Sequence, residues 1–135
     1  MSLFVWDARY SLNITEIDRQ HQQLFALFNE LYDAMQQGHG NEVIGNVLTR
    51  VLDYTAYHFA AEEKLLHQYG YAEEAAHRAE HAKLTGQAKL LVQKQRDGNN
   101  QVAIATLKFL CDWLNTHILG TDKKFAPFLI EKGVR

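Results

Sequence analysis

Cysteine and proline are almost absent from this chain. Cys111 is the only cysteine among 135 residues, so no disulfide can form within the chain. A chain without internal disulfides is compatible with a reducing compartment, and we therefore predict a cytoplasmic protein. Pro127, the only proline, stands near the end and leaves the preceding segments free to form uninterrupted helices.

Long apolar runs and strong net charge are missing as well. No stretch provides the roughly 18 consecutive apolar residues of a membrane span, so none is predicted. Lysine and arginine total 14 against 16 acidic residues, and no basic run occurs. Nucleic acid and anionic lipid are therefore not expected partners. The opening MSLFVWDARY lacks the basic and apolar regions of a signal peptide.

Glycines divide the sequence into four stretches of roughly 20 to 27 residues, each long enough for a helix across a small domain. In every stretch, apolar residues recur mainly at spacings of three, four or seven. These stripes consist of Leu24, Phe25, Phe28, Leu31, Tyr32 and Met35; Val47, Val51, Tyr54, Ala61 and Leu65; Leu84, Ala88 and Leu91; and Ala103, Leu107, Leu110 and Leu114. Each stripe is one face wide, which is typical of helices packed on a shared core.

The pattern predicts an all-α protein, an up-down-up-down antiparallel four-helix bundle with an N-terminal extended arm. Short loops between consecutive helices favour antiparallel neighbours. We predict a single domain over residues 1–135. Its predicted parts are an arm at 1–17, helices at 18–37, 42–68, 72–96 and 100–119, and a C-terminal segment at 122–135. Phe4 and Trp6 are expected to pack the arm onto the bundle.

Most of the seven histidines continue the core stripes at spacings of three, four or seven. The polar residues on these stripes are His21, His58, Glu62, His77, His81 and His117. In an up-down-up-down bundle, the starts of the first and third helices lie beside the ends of the second and fourth. All six side chains are therefore predicted at one end of the bundle.

The other histidines and several glutamates fall off the stripes. His67 is predicted to face away from the core, and His39 to lie in a loop between two glycines. The glutamates expected on the solvated surface are Glu63, Glu73, Glu74 and Glu80. Among them, Glu80 stands beside the His81 face and could support the buried set.

The six buried polar residues indicate a metal site. A single buried histidine is more often a hydrogen-bonded core residue than a ligand. Five together would repel one another as cations, and as neutral rings they would leave nitrogens without partners. Six ligands exceed the needs of one tetrahedral zinc, and imidazoles argue against calcium and magnesium. Two octahedral first-row ions bridged by carboxylates fit the set.

Asp122, in the segment HILGTD, is the remaining candidate ligand. It follows His117 by five residues, which is about 140° away on a regular α-helix. Asp122 can reach the same site only if a π-type turn or a helix end intervenes. Gly120 lies between the two residues and is expected to lower the cost of such a distortion.

The segments FVWDARY, IDRQHQQLF, HFAAEE, HRAEH and HILGTD together resemble the hemerythrin family, most of all its single-domain bacterial form. The resemblance runs along nearly the whole chain. It implies a cofactor of two non-haem iron ions, in the Fe2+ or Fe3+ state, with an oxo or hydroxo bridge. It also implies that His77, His81 and His117 hold one iron and that His21 and His58 hold the other, which keeps one open position. Glu62 and Asp122 would bridge the pair.

The function implied by the resemblance is reversible O2 binding for oxygen storage, transport or delivery, without enzyme activity. The partners would be O2 and an oxygen-using enzyme that receives it. Five imidazoles and two carboxylates make a less anionic site than the glutamate-rich ferritin-like bundles, so high-valent iron is harder to reach. The side chains predicted to line an O2 pocket are Leu24, Phe25, Phe59, Trp113 and Leu114.

Other functions remain open from the sequence. The same iron pair would serve a module that senses O2, redox state or iron. It would also serve a di-iron oxidoreductase acting on nitric oxide or peroxide, given a source of electrons. Iron storage is a further alternative, although it favours more carboxylates.

Overall fold

Five α-helices and one π-helical segment make up the regular structure of the described residues. The computed structural model describes residues 5–98 and 101–135, without the side chain of Leu114. The elements are Thr15–Gln36 (α1), Gly40–Tyr69 (α2), Glu74–Arg96 (α3), Val102–Asp112 (α4), the π-helical segment Trp113–Asp122, and Lys123–Glu131 (α5). The predicted four-helix bundle is confirmed, with α4 and its continuation as the fourth helix.

The fourth helix is longer than the sequence predicted. The helix was predicted to end at residue 119, with a separate segment from residue 122. Instead, it continues from α4 through the π-helical segment into α5, since Trp113 and Lys123 at the two junctions keep right-handed helical backbone angles. Pro127 lies inside α5, where its ring does not end the helix. The predicted start of this helix at residue 100 lies outside the described residues.

The two connections that the structure describes in full, between α1 and α2 and between α2 and α3, are short and contain a glycine with positive φ. Gly70 ends α2 in the left-handed conformation with φ 72°. Tyr71 N–H then donates to the carbonyl of Leu66 at 2.9 Å, as in a Schellman C-cap. Because this loop is brief, α3 returns directly alongside α2. The end of α2 therefore lies next to the start of α3.

The N-terminal arm packs against α1, as predicted for Trp6. The Trp6 ring meets Phe25 edge-on at 5.1 Å between centroids. The Asp18 carboxylate accepts hydrogen bonds from Ser11 Oγ at 2.6 Å and from the Leu12 N–H at 2.8 Å. Phe4, the other residue expected to pack the arm, lies outside the described residues.

The apolar interior has two parts. The larger cluster fills the bundle between α1, α2, α3 and α4 and includes Phe28, Phe59 and Trp113. The smaller cluster joins the arm and the start of α1 to the end of α2 and to α5, and it includes Phe125. Among the described residues, no helix has the combined length and apolarity needed to cross a bilayer.

Candidate metal centre

The seven predicted ligands lie together between the two apolar clusters. They come from every helix of the bundle: His21 from α1, His58 and Glu62 from α2, His77 and His81 from α3, and His117 and Asp122 from the π-helical segment. Each is at most 3% exposed. Phe59 of the larger cluster stacks on His81 at 3.8 Å, and Phe125 of the smaller cluster meets His77 at 5.2 Å. Apolar rings therefore border the site on both sides.

The ligand atoms form two groups that share both carboxylates. The three-histidine group consists of His77, His81 and His117 with Glu62 and Asp122. The two-histidine group consists of His21 and His58 with the same Glu62 and Asp122. Within each group all candidate ligand atoms lie within 4.8 Å of one another, a spacing that one ion could occupy.

Glu62 turns one carboxylate oxygen toward each group. Its Oε1 lies 3.3 Å from His77 Nε2 and 3.2 Å from His81 Nε2, on the three-histidine side. Its Oε2 lies 2.9 Å from His58 Nε2 and 3.3 Å from His21 Nε2, on the two-histidine side. This is the arrangement that a carboxylate bridging two ions requires.

Asp122 divides its oxygens in the same way. Oδ1 lies 3.0 Å from His117 Nε2 and 3.3 Å from His77 Nε2, whereas Oδ2 lies 3.2 Å from His21 Nε2. The predicted distortion of the fourth helix is confirmed, because residues 113–122 are π-helical. In a π-helix the backbone bonds join residues five apart, so His117 and Asp122 share one face.

The inward-facing atoms lack ordinary hydrogen-bond partners, which is the test of whether a metal fits. Those without a partner are Nε2 of His21, His58, His81 and His117, Oε2 of Glu62, and both carboxylate oxygens of Asp122. Buried polar atoms are normally satisfied, and a cluster of exceptions needs an explanation. Neutral imidazole and carboxylate are suitable ligands for first-row transition metals, so bound ions would satisfy these atoms together.

Three of the imidazoles use their other nitrogen to bind a neighbouring helix. His58 Nδ1 donates to Gln20 Oε1 of α1 at 2.7 Å. His81 Nδ1 donates to Glu63 Oε2 of α2 at 2.9 Å, and His117 Nδ1 donates to Glu80 Oε1 of α3 at 2.7 Å. With Nδ1 carrying the hydrogen, Nε2 is left as the ligand atom facing the site.

These three partners were missed or misplaced by the sequence analysis. Glu63 was predicted on the solvated surface, and this was wrong, because its side chain is only 21% exposed and accepts a hydrogen bond from His81. For Glu80 the surface was preferred and support of the buried set was the alternative. The structure shows the alternative, since Glu80 is 30% exposed and accepts a hydrogen bond from His117. Gln20, 1% exposed, was not considered. A signal was present: each partner stands next in sequence to a predicted ligand of its own helix. It therefore lies near the core and reaches the ligand of the following helix.

Three histidines of the site have raised pKa values without metal. Burial lowers the pKa of His21, but the nearby carboxylates of Asp122 and Glu62 outweigh it and raise that pKa to about 9. The same balance of burial against Asp122 and Glu62 raises the pKa of His77 to about 9. For His117, burial is likewise outweighed by the charge of Asp122, and the pKa is raised. A metal must therefore displace protons from these rings.

The pKa values of His58, Glu62 and Asp122 are lowered instead. Burial lowers the pKa of His58 below its ordinary value. Burial acts to raise the pKa of Glu62, but His58 and His21 outweigh it and hold that pKa well below its usual range. Asp122 also has a lowered pKa, because His117 and His21 overcome burial and the neighbouring Glu62. Both carboxylates are therefore charged at neutral pH.

The two histidines predicted to lie off the site do so. His67 is exposed and pairs with Glu74, with Nδ1 at 3.2 Å from Oε1. His39 precedes α2 and pairs with Glu42 at 3.1 Å. Neither belongs to the groups of candidate metal ligands found among the described residues.

Four of the five residues predicted to line an O2 pocket are buried. Leu24, Phe25, Phe59 and Trp113 all belong to the larger apolar cluster. Phe59 contacts His81 directly, and the ring centroid of Trp113 lies 6.2 Å from that of His117. The side chain of Leu114 lies outside the described part of the structure.

Comparison with known proteins agrees with this geometry. Residues 12–129 match the family model described as the hemerythrin HHE cation binding domain. The chain belongs to the hemerythrin family. It is 38% identical over 130 residues to a bacteriohemerythrin of Methylococcus capsulatus (strain ATCC 33009 / NCIMB 11132 / Bath), covering 96% of this chain and 98% of that protein. A hemerythrin-like protein of Naegleria gruberi is 32% identical and matches 95% of each chain.

Solved hemerythrin structures have the same fold. A crystal structure of wild-type hemerythrin superposes with a TM-score of 0.85 at 37% sequence identity, covering 95% of this chain and 98% of that chain. Family membership and the buried cluster of histidines and carboxylates together fit a non-haem di-iron site in this hemerythrin-family chain.

Proposed function

We propose that this chain binds O2 reversibly at a pair of iron ions and stores or delivers it, without acting as an enzyme. The observation that carries the proposal is that Glu62 and Asp122 each turn one oxygen toward the three-histidine group and the other toward the two-histidine group. Two ions held this way would share both carboxylates. When bound, the iron pair supplies the two electrons that O2 takes up on binding and returns on release.

The unequal number of histidines gives each ion a different role. An octahedral ion in the three-histidine group would receive three imidazoles, two carboxylate oxygens and a bridging oxygen. In the two-histidine group, His21 and His58 supply one imidazole fewer. That group therefore has a position for a ligand from outside, and O2 is the ligand we propose.

The surroundings support a carrier. Five neutral imidazoles and two carboxylates keep the site less anionic than a carboxylate-rich one, which disfavours the high-valent iron needed to cleave O2. Phe59 stacks on His81 and Phe125 meets His77, so apolar rings limit access of water. Exclusion of water protects a reduced site from loss of electrons. A cytoplasmic location and an oxygen-using recipient enzyme belong to the same proposal and rest on the sequence.

Cycles of oxygenation test the proposal. Protein loaded with iron and reduced under argon is exposed to air and returned to argon, while the visible absorption is recorded. A charge-transfer band that appears in air and disappears in argon over repeated cycles is expected, with one O2 taken up per pair of irons. A band that forms once and never reverses, or steady consumption of O2 with added reductant, would contradict a carrier and favour an oxidoreductase.

A matched pair of variants provides the control. His67→Ala removes an exposed imidazole of α2 that is not among the candidate ligands, and it should keep the reversible band. His58→Ala removes a buried imidazole of the same helix from the two-histidine group, and it should lose the band. Equal behaviour of the two variants would contradict the proposed site.

A further inference from the structure

The two histidine groups differ in what their outward nitrogens bind. In the three-histidine group, His81 and His117 each donate to a carboxylate, Glu63 at 2.9 Å and Glu80 at 2.7 Å. In the two-histidine group, His58 donates to Gln20, a neutral amide, at 2.7 Å. The Nδ1 of His21 has no hydrogen-bond partner among the described residues. Anionic partners therefore lie on one side of the site only.

The neutral partner is held in a fixed orientation. Gln20 Nε2 donates to Glu16 Oε1 at 3.0 Å, which directs the amide oxygen toward His58. Gln20 is buried, so it has little freedom to turn. His58 thus donates its hydrogen bond to an uncharged amide, and both the oxygen and the nitrogen of that amide have partners.

The carboxylate partners are held as well. Glu80 also accepts the hydroxyl hydrogen of Thr121, whose Oγ1 lies 3.0 Å from each carboxylate oxygen, and this contact ties α3 to the π-helical segment. Glu63 accepts from Arg78 Nη1 at 3.1 Å, and this cation offsets part of its charge. Of the two, Glu80 therefore has the stronger electrostatic effect on its histidine.

A carboxylate that accepts a hydrogen bond from an imidazole makes the ring a more basic ligand. A more basic ligand stabilises the more highly charged metal ion, and burial strengthens the effect because water screens it poorly. We propose that Glu63 and Glu80 are positioning residues that make the three-histidine iron the easier of the two to oxidise. A centre that has lost one electron then holds Fe(III) among His77, His81 and His117, and Fe(II) between His21 and His58.

This inference rests on the proposed function, since it assumes an iron pair. An electrochemical titration under argon tests it without O2. Each step transfers one electron between the electrode and the centre, and absorption records the population of each state. The wild-type protein should show two separate one-electron steps. Mössbauer spectra of 57Fe-loaded protein poised between the steps should show one Fe(II) and one Fe(III).

Single substitutions assign the steps to the two groups. Glu80→Gln keeps an acceptor for His117 but removes the charge, so it should raise the potential of the first oxidation more than that of the second. Glu63→Gln should act in the same direction with a smaller shift, because Arg78 already offsets its charge. Glu74→Gln is the matched control: its side chain is 21% exposed, like that of Glu63, and it also pairs with Arg78. This control should leave both potentials unchanged.

The reverse change adds charge on the other side. Gln20→Glu together with Glu16→Gln keeps a hydrogen bond between positions 16 and 20 and places a carboxylate on His58. The second oxidation should then occur at a lower potential, and the two steps should move closer together. Removing a residue that supports a metal ligand usually lowers metal affinity by about 10- to 100-fold. If a glutamate variant loses its iron for this reason, the double variant still tests the inference.

The outcomes separate this inference from the proposed function. Potentials that do not move in the Gln20→Glu double variant, or that move equally in Glu80→Gln and Glu74→Gln, overturn the inference and leave reversible O2 binding untouched. If the wild-type chain holds no iron pair or gives no reversible band, the oxygenation test fails and the proposed function is contradicted instead. Two results support the inference: a smaller difference between the two oxidation potentials in the double variant, and a higher potential of the first oxidation in Glu80→Gln.

Discussion

Among single residues, the members of the site stand out because their inward-facing nitrogen and oxygen atoms have one another as nearest polar neighbours. Gln20 is satisfied by neighbours at both ends of its side chain, whereas Asp122 directs two carboxylate oxygens at histidine nitrogens without an ordinary hydrogen bond. Such an arrangement is costly in a folded chain unless an ion is bound. The residues of the site are therefore expected to respond sharply to substitution.

The first prediction concerns metal content. His58→Ala removes a candidate ligand from the two-histidine group and leaves Gln20 and Glu62 without their partner, so iron affinity should fall more than the roughly 10- to 100-fold typical for loss of a supporting residue. His67→Ala should leave the iron content unchanged, because its ring is at the surface. Elemental analysis after gel filtration measures both. Normal iron in the His58 variant would contradict the assignment.

Sequence reasoning could place the ligands but not their supports. The spacing of His77 and His81 follows from helix periodicity alone, and the structure brings both to the site. Glu63 and Glu80 could not be placed in the same way, because their contacts depend on the distance between adjacent helices. A periodic pattern gives the direction of a side chain within one helix, but it does not give what the next helix presents there.

At the scale of elements, the π-helical segment is what makes the seventh ligand available. The regular stripes of α1, α2 and α3 carry their histidines inward without distortion. Only the fourth helix must change its winding to bring Asp122 beside His117. The sequence indicated this need through the spacing of five, and the length of the distorted segment, Trp113–Asp122, could not be read from it.

The second prediction is that metal binding holds this segment in place. Without metal, His117 and Asp122 lose the ion that keeps them together, so amide protons of residues 117–122 should exchange faster in the metal-free protein than in the iron-loaded protein. Val47, Leu48 and Val51 of α2 lie in the larger apolar cluster, and residues 47–51 serve as the internal reference. Hydrogen exchange followed by mass spectrometry measures both. Equal protection of residues 117–122 in the two forms would show that the segment is stable by itself.

The third prediction concerns Gly120, which was expected to ease the distortion. Gly120 does not have a positive φ, and a Cβ added there would meet nothing within 4 Å. The structure therefore does not require glycine at this position. Gly120→Ala should keep the iron content and raise the free energy of unfolding by about 0.5–1 kcal/mol, because alanine loses less backbone entropy on folding. Denaturant unfolding tests this, and loss of iron would show that the π-helical winding needs the glycine.

For the whole molecule, the bundle was predictable because each helix has one apolar face and the loops are short. The predicted topology also requires His21, His58, His77 and His117 to meet at one end, and they do. The smaller apolar cluster was not predictable in this way. It joins the arm to α5, two segments at opposite ends of the sequence, and local periodicity says nothing about such contacts.

The fourth prediction concerns the stability of the metal-free protein. The pKa values of His21 and His77 are raised to about 9 in the folded chain, against about 6.5 when unfolded. Their contribution to stability is fully present below pH 6.5 and is lost as the pH rises through 9. Glu62 and Asp122 have lowered pKa values, so their contribution is lost in acid. Burial lowers the pKa of His58, so its contribution is lost as the pH falls below about 6.5. The metal-free chain should therefore be most stable near pH 6.5.

Urea unfolding from pH 5 to 9.5 checks this profile. Asp122→Asn is the comparison, since Asp122 supports the raised pKa of both histidines. The free energy of unfolding of this variant should fall less above pH 6.5 than that of the wild-type chain. Iron should protect the wild-type chain more strongly as the pH rises, because fewer protons must be displaced. Stability of the metal-free chain that stays level from pH 6.5 to 9 would contradict the assigned charges.

The π-helical winding also governs how the length of this chain can change during evolution. Deleting one residue from within 113–122 would turn everything that follows by about 100° around the helix axis. Phe125 and Leu129, both fully buried, would then leave the smaller apolar cluster at the same time as Asp122 left the site. Substitutions at exposed positions such as Gly120 carry no such cost. Related chains are therefore expected to vary in composition here but to keep the number of residues between His117 and Phe125.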